Sequence, residues 1–277
     1  MFSLINISYT FFIVNGESFL SKKYKFLHDF FKIIEELNID YWLEGGTALS
    51  AHRDGAIFPW EHDFDIGVLK KNLDNKLPIL IERISNIERV IIVQKNFPFL
   101  DNIIQIYCND KVSSPNQIDI YLYTEKNNNI YMRWFNSPLG VGSLVLKSIL
   151  YFLTDRLSKN HNNFFLKTKI YKIILNFFLY INYKFYSSTY HSFPKIFFEK
   201  NKKILFCGLK LNIPFMIEEF LEYRYGKNWK IPDKSFNQMG KWKTSKARPI
   251  LRQNFLPYPK IDYDIYNLTN YADQKNK

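Results

Sequence analysis

The chain has 277 residues, 47% hydrophobic and 23% charged, enough apolar material to bury a large core and too much for an intrinsically disordered chain. Lys and Arg number 38 against 26 Asp and Glu, a net charge of +12 that suits an anionic partner such as a nucleotide, a nucleic acid or a phospholipid face. Two cysteines, Cys108 and Cys207, exclude a disulfide framework and a cysteine-rich zinc site, and fit a reducing compartment.

Met1 to Val14 is apolar but has no leading Lys or Arg and falls short of the ~20 residues that span a bilayer, so it reads as a strand or docking segment. Ser21 to Leu37 places Phe26, Leu27, Phe30, Phe31, Ile33, Ile34 and Leu37 at gaps of three and four, predicting an amphipathic helix. A short strand over Tyr41 to Glu44 follows, broken by Gly45 and Gly46. Thr47 to Arg53 reads as a short helix. Asp63 to Leu69 alternates as a strand, and Asp74 to Ser85 as a helix. Further strands are expected near Arg89 to Gln94, Asn102 to Cys108, Gln117 to Tyr123 and Ile130 to Phe135.

Beyond Ser137 and Pro138 the chain becomes aromatic-rich and reads as mainly helical over Leu144 to Leu157, Leu166 to Tyr186 and Pro194 to Lys203. The apolar run from Ile170 to Tyr183 is interrupted by Lys172, Asn176 and Asn182, so no transmembrane span is predicted and a cytoplasmic location is expected. Leu205 to Asn212 reads as one strand, Pro214 as a helix start, and Phe215 to Tyr225 as a helix ended by Gly226. Lys227 to Lys277 is a polar, basic tail. The organisation expected is α+β: a catalytic core over residues 1–137 and a mainly helical region over 138–277.

The chemistry concentrates in Asp63-Phe64-Asp65-Ile66. Alternate residues of a strand share a face, so the two aspartates project together while Phe64 and Ile66 pack inward. Two carboxylates so close repel, and a divalent cation between them relieves the repulsion. Ile118-Asp119-Ile120 repeats the pattern with one acid. If the two strands are neighbours, three acids converge on one hard cation, and oxygen ligands favour Mg²⁺ or Mn²⁺. Upstream, Leu43-Glu44-Gly45-Gly46-Thr47 is a strand, a glycine turn and a helix start, where backbone N–H groups can meet a phosphate. Each piece alone is commonplace; a lone D-x-D is more often a solvated strand edge. Their order suggests phosphoryl or nucleotidyl transfer.

The stretch from Tyr41 to Val68, YWLEGGTALSAHRDGAIFPWEHDFDIGV, resembles the LicD and fukutin-related phosphotransferases, whose signature runs W-L-x-G-G-T, A-x-R-x-G, P-W-[DE]-x-D-x-D-I-G. Gly208 to Pro214, Glu219 to Leu221, Tyr225 to Trp229 and Pro232 are similar to the family's closing pattern. The resemblance implies a nucleotidyltransferase-like mixed β-sheet flanked by helices. It also implies transfer of phosphocholine or an alditol phosphate such as ribitol phosphate from a CDP-linked donor to a glycan hydroxyl. On the matching positions, Asp63 and Asp65 become metal ligands and Asp119 the third acid, as ligand or proton acceptor. Gly45, Gly46 and Thr47, with Glu44 beside them, line the phosphates, and Arg53 neutralises donor charge. The chain departs from the pattern at His62, where many members are acidic, and at Glu61, which stands for the commoner Asp.

Among the other residues, Trp60 can stack on a base or sugar or pack beneath the acidic strand. His52 and His62 read as bystanders, and Tyr225 and Trp229 as closing the core. The tail cations Lys241, Lys243, Lys246, Arg248 and Arg252 form either a solvated surface or a contact with an anionic acceptor or membrane face. Nucleic acid is not the expected partner, because Lys, Asn, Ile, Phe and Tyr are all favoured by AT-rich codons. Two alternatives stand beside the phosphotransferase. One is a nucleotidyltransferase using a nucleoside triphosphate on a small molecule, protein or RNA; the other is a non-catalytic module for RNA or membranes.

Overall fold

The computed structural model describes residues 13–14, 17–18, 22–73, 75–93, 103–109, 113–137, 173–174, 177–178, 181, 187–232 and 250–252. A two-residue pair of strands, β1 (Ile13–Val14) and β2 (Glu17–Ser18), precedes helix α1 (Lys25–Glu36). Helix α1 buries Phe26, Leu27, Phe30, Phe31, Ile33 and Ile34, the stripe its spacing predicts. Strand β3 (Trp42–Leu43) leads into helix α2 (Gly45–Arg53), then strand β4 (Asp63–Leu69), a single turn α3 (Lys70–Leu73) and helix α4 (Leu77–Ser85). Four strands follow: β5 (Val90–Val93), β6 (Ile103–Cys108), β7 (Gln117–Lys126) and β8 (Asn129–Ser137).

The main sheet is mixed. Its path runs β3, β4, β7, β8 and then β9 (Ser187–Pro194) and β12 (Ile250–Arg252), with β6 also paired to β7 and β5 to β6. Strands β4 and β7 are parallel and their neighbours β3, β6 and β8 run antiparallel to them. Strand β7 is long enough to change partner. Gln117 to Tyr121 pairs with β6, and Thr124 to Lys126 pairs with β8.

Both faces of β4 are covered. On one, Phe64 meets Phe31 of α1 edge-on at 5.6 Å and Phe206 at 6.0 Å. On the other, Trp42 packs between Tyr123 (5.4 Å) and Phe198 (4.4 Å), and Phe193 continues that layer onto Phe220 (5.5 Å). Residues 42, 123, 193, 198 and 220 thus bind the family-like stretch to the later part of the chain through one apolar core.

Past residue 186 the described chain differs from the helical reading. Pro194 closes strand β9; Lys195–Phe198 is one 3₁₀ turn; and Asn201–Phe206 is strand β10. Leu205 to Asn212 is not one strand but the end of β10, a two-residue turn and most of β11 (Leu209–Pro214). Cys207 and Gly208 both have positive φ, 54° and 77°, the geometry of a type I′ hairpin. A cysteine in the first position is not the usual Asn or Asp, which is why the turn is hard to read. Pro214 ends β11 instead of starting a helix, and helix α5 spans Ile217–Tyr225 with Gly226 after it. The segment Leu144 to Leu157, residue Asp74 and the tail cations Lys241, Lys243, Lys246 and Arg248 lie outside the described residues. Among the described residues no helix is long and apolar enough to cross a membrane. Both cysteines are free thiols, Cys108 buried and Cys207 half-buried.

Candidate active site

Strands β4 and β7 are adjacent, parallel and registered so that Asp63 lies opposite Gln117 and Asp65 opposite Asp119. Pleating sends Phe64, Ile66, Ile118 and Ile120 to the apolar side, where all four are buried. The acids take the other face. One carboxylate oxygen from each of Asp63, Asp65 and Asp119 lies within 4.8 Å of the others. Asp63 is half-buried; Asp65 and Asp119 are buried.

The three acids are held differently. Asp119 accepts hydrogen bonds from Gln117 Nε2 at 2.7 Å and from Gln105 Nε2 at 3.0 and 3.2 Å. Asp65 is fixed through its backbone. Its N–H donates to Thr47 Oγ1 at 2.9 Å, and its carbonyl accepts from Glu44 N at 3.0 Å. Oδ1 of its carboxylate is buried with no hydrogen-bond partner. Burial drives the Asp65 carboxyl well above the usual carboxylate range, with Asp63 and Asp119 adding to the shift and Arg224 opposing it. Glu61 is raised by its own desolvation and then by Asp63.

The chain turns from strand to helix at Gly45, whose φ of 56° lies in the left-handed region that favours glycine. Gly45 and Gly46 form the first turn of α2, with Glu44 in extended conformation ahead of them. What crowds them is carboxylate. A β-carbon on Gly45 would sit 3.0 Å from Asp65 Oδ2, and one on Gly46 would collide with Glu61 Oε1. The absent side chains leave room for acids to approach the start of the helix, whose dipole favours negative charge there. Thr47 is buried and turned toward Asp65. Glu44 is buried too: Oε2 accepts from Trp42 Nε1 at 2.8 Å, and Oε1 pairs with Arg224.

Arg53 donates to Asp54 through Nε at 2.7 Å and Nη2 at 3.1 Å, and its guanidinium lies 4.9 Å from the Phe58 ring centroid. Trp60 is 64% exposed and stacks on Phe58 at 5.0 Å with a 16° tilt, so it does not pack beneath the acidic strand. His52 faces Trp229 at 5.8 Å and Glu218 at 3.7 Å. Tyr225 is half-buried against the core, its hydroxyl pushed up to about 12 by burial.

Residues 38–141 match the model described as LicD/FKTN/FKRP, nucleotidyltransferase domain. The match covers 104 of the chain's 277 residues. A stretch of 43 residues is 42% identical to the ribitol 5-phosphate transferase FKRP of Mus musculus, and equally to that of Homo sapiens. That stretch is 16% of this chain and spans only 9% of the length of those relatives. Uncharacterized protein RP689 of Rickettsia prowazekii is 36% identical over 59 residues, 21% of this chain and 22% of that protein. Among solved structures, ANT(2")-Ia in complex with adenylyl-2"-tobramycin aligns over 56% of this chain and 85% of its own, at 13% identity and a TM-score of 0.28.

Three residues around the acids are absent from the sequence reading of the site: Gln105, Gln117 and Arg224. Two carried a signal. Gln105 is the one polar residue in the Ile-Ile-Gln-Ile run of β6. Arg224 continues the buried row Ile217, Phe220 and Leu221 on α5, a cation at a position where helical spacing calls for an apolar side chain.

Proposed function

We propose that this chain is a metal-dependent phosphotransferase that moves an alditol-phosphate or phosphocholine group from a CDP-linked donor to a glycan hydroxyl. The observation that carries the reading is the convergence of Asp63, Asp65 and Asp119 within the segment that matches the LicD/FKTN/FKRP model. Both mammalian relatives are ribitol 5-phosphate transferases, which puts an alditol phosphate ahead of phosphocholine as the group moved.

The acids fit a hard divalent cation. The ligand set is all oxygen, and a buried Asp65 oxygen without a hydrogen-bond partner is the kind of atom that a cation satisfies. Asp63, Asp65 and Asp119 would hold Mg²⁺ or Mn²⁺. Bound there, the ion supplies countercharge to the donor diphosphate and the leaving CMP. The protein's own part is positioning. Gln105 and Gln117 pin Asp119 and so favour a fixed ligand role for it over proton transfer. Asp63 is the acid with most solvent access, which supports a donor approach from its side. Trp60, three residues before it, offers an open ring face to a base or sugar.

The test incubates the protein with CDP-ribitol, CDP-glycerol and CDP-choline plus Mg²⁺ or Mn²⁺ and follows CMP. Release of CMP, or a metal-dependent rise in Tm with one donor, is the expected result. Neither effect with any donor, or pyrophosphate release from a nucleoside triphosphate instead, overturns the reading.

A further inference from the structure

A cation buried close to the innermost acid of the triad needs a reason to be there. Arg224 is that cation. Helix α5 delivers it to Glu44 from 180 residues further along the chain, with side-chain exposures of 10% and 1% for the pair. Its Nη2 lies 3.5 Å from the point where a Gly45 side chain would begin, and Asp65 Oδ2 lies 3.0 Å from the same point. Arg224 therefore faces Asp65 across the gap left by one missing side chain, while its Nη1 is turned to Glu44. It is bonded to Glu44, while Asp65 Oδ1 has no hydrogen-bond partner.

Glu44 is a rigid anchor for this choice. Trp42 Nε1 holds its Oε2, and the Trp42 ring is wedged between Phe198, Tyr123 and the bare α-carbon of Gly67. A guanidinium is drawn strongly to any carboxylate it can reach, and a buried one more so. Without Glu44's charge, Asp65 is the acid that shares the gap at Gly45 with the guanidinium.

We propose that Glu44 is a positioning residue that holds Arg224 off Asp65 and so keeps the innermost acid of the triad available to a divalent cation. The inference rests on the reading of the triad as a cation site. It also makes the site composite: the family-matching segment ends at residue 141, and the cation that must be restrained comes from α5.

Mn²⁺ binding to the full chain, by calorimetry and by the EPR signal of free Mn²⁺, tests this, with Tm measured in EDTA alongside. Glu44→Gln keeps the shape and the acceptor for Trp42 but removes the charge, and should weaken Mn²⁺ binding about tenfold or more as Arg224 turns to Asp65. Adding Arg224→Met to Glu44→Gln should bring Mn²⁺ affinity back to within about threefold of the native chain. Arg224→Met alone should lower Tm, because Glu44 is left buried and unpaired, without weakening Mn²⁺ binding. A merely structural pair would lower Tm in all three and leave Mn²⁺ affinity untouched in Glu44→Gln, which overturns the proposal. So does a double variant that stays tenfold weak, and that comparison decides alone if Glu44→Gln does not fold. A native chain that binds no Mn²⁺ instead removes the cation reading underneath.

Discussion

Strand β7 carries Asp119 among carboxylates toward one end and Glu125 among lysines toward the other. Glu125 accepts from Lys195 Nζ and Lys71 Nζ, each at 2.6 Å, and these bonds hold its carboxyl below the usual range. Its charge is cancelled locally and in reach of water. Asp119 and Asp65 are buried beside Asp63, and the cation across from Asp65, Arg224, is already bonded to Glu44. The same chemical group on the same strand is neutralised in one place and concentrated in the other. Folding alone does not favour such concentration, because like charges out of water raise the energy of the native state. The excess negative charge is what a cationic ligand would use.

The largest expected effect comes from breaking the concentrated end. Asp65→Ala or Asp63→Ala should reduce turnover on the order of a thousandfold, the scale of losing metal-borne charge stabilisation, while circular dichroism and Tm in EDTA stay near native or improve. Near-normal turnover in either variant contradicts the ligand assignment. Next comes Gly67→Ala, on the strand that carries the acids. The added methyl would overlap the indole of Trp42, a rigid ring with no room to retreat, and should cost about 1–3 kcal/mol in urea unfolding. A loss below that range would mean that Trp42 can move.

A smaller effect concerns His191 of β9, which is buried, with its pKa lowered to about 3 by desolvation and then by Arg224. The folded state keeps this ring neutral, whereas the unfolded chain protonates it near pH 6.5. The stability it contributes is therefore present above about pH 6.5 and is lost as pH falls from there toward 3. His191→Gln should flatten the fall of Tm between pH 7 and pH 5; an unchanged slope would show that other groups control it. The smallest effect belongs to the neutralised end. Glu125→Gln should leave CMP release and Tm within experimental error, as exposed ion pairs contribute little. A clear loss of activity there would erase the contrast between the two ends of β7.

Much of this layout is legible in the residues. The alternation around Phe64 and Ile118 gives the right faces, and the stripe in α1 gives its buried side, because pleat and helical pitch are imposed locally. The misreadings share a cause. Pro194 to Lys203 holds a single short apolar run, Ile196 to Phe198, and short apolar runs do not announce which period they will obey; β9 and β10 instead find partners in β8 and β11. The glycine pair was legible as a close approach, though not as one made by acids: Glu61 and Asp65 reach it only once β4 is folded back beside α2.

By itself the sequence determined which side chains share a face with Asp63 and Asp65, since that follows from a two-residue repeat. Only the tertiary structure decided that Asp119 sits level with Asp65 in a parallel pair, and that Arg224 is bound to Glu44 beside them. Those placements join positions 54 and 180 residues apart. No local preference sets them; they are fixed by burying Phe64, Ile66, Ile118 and Ile120 on one side and the Trp42 to Phe220 layer on the other.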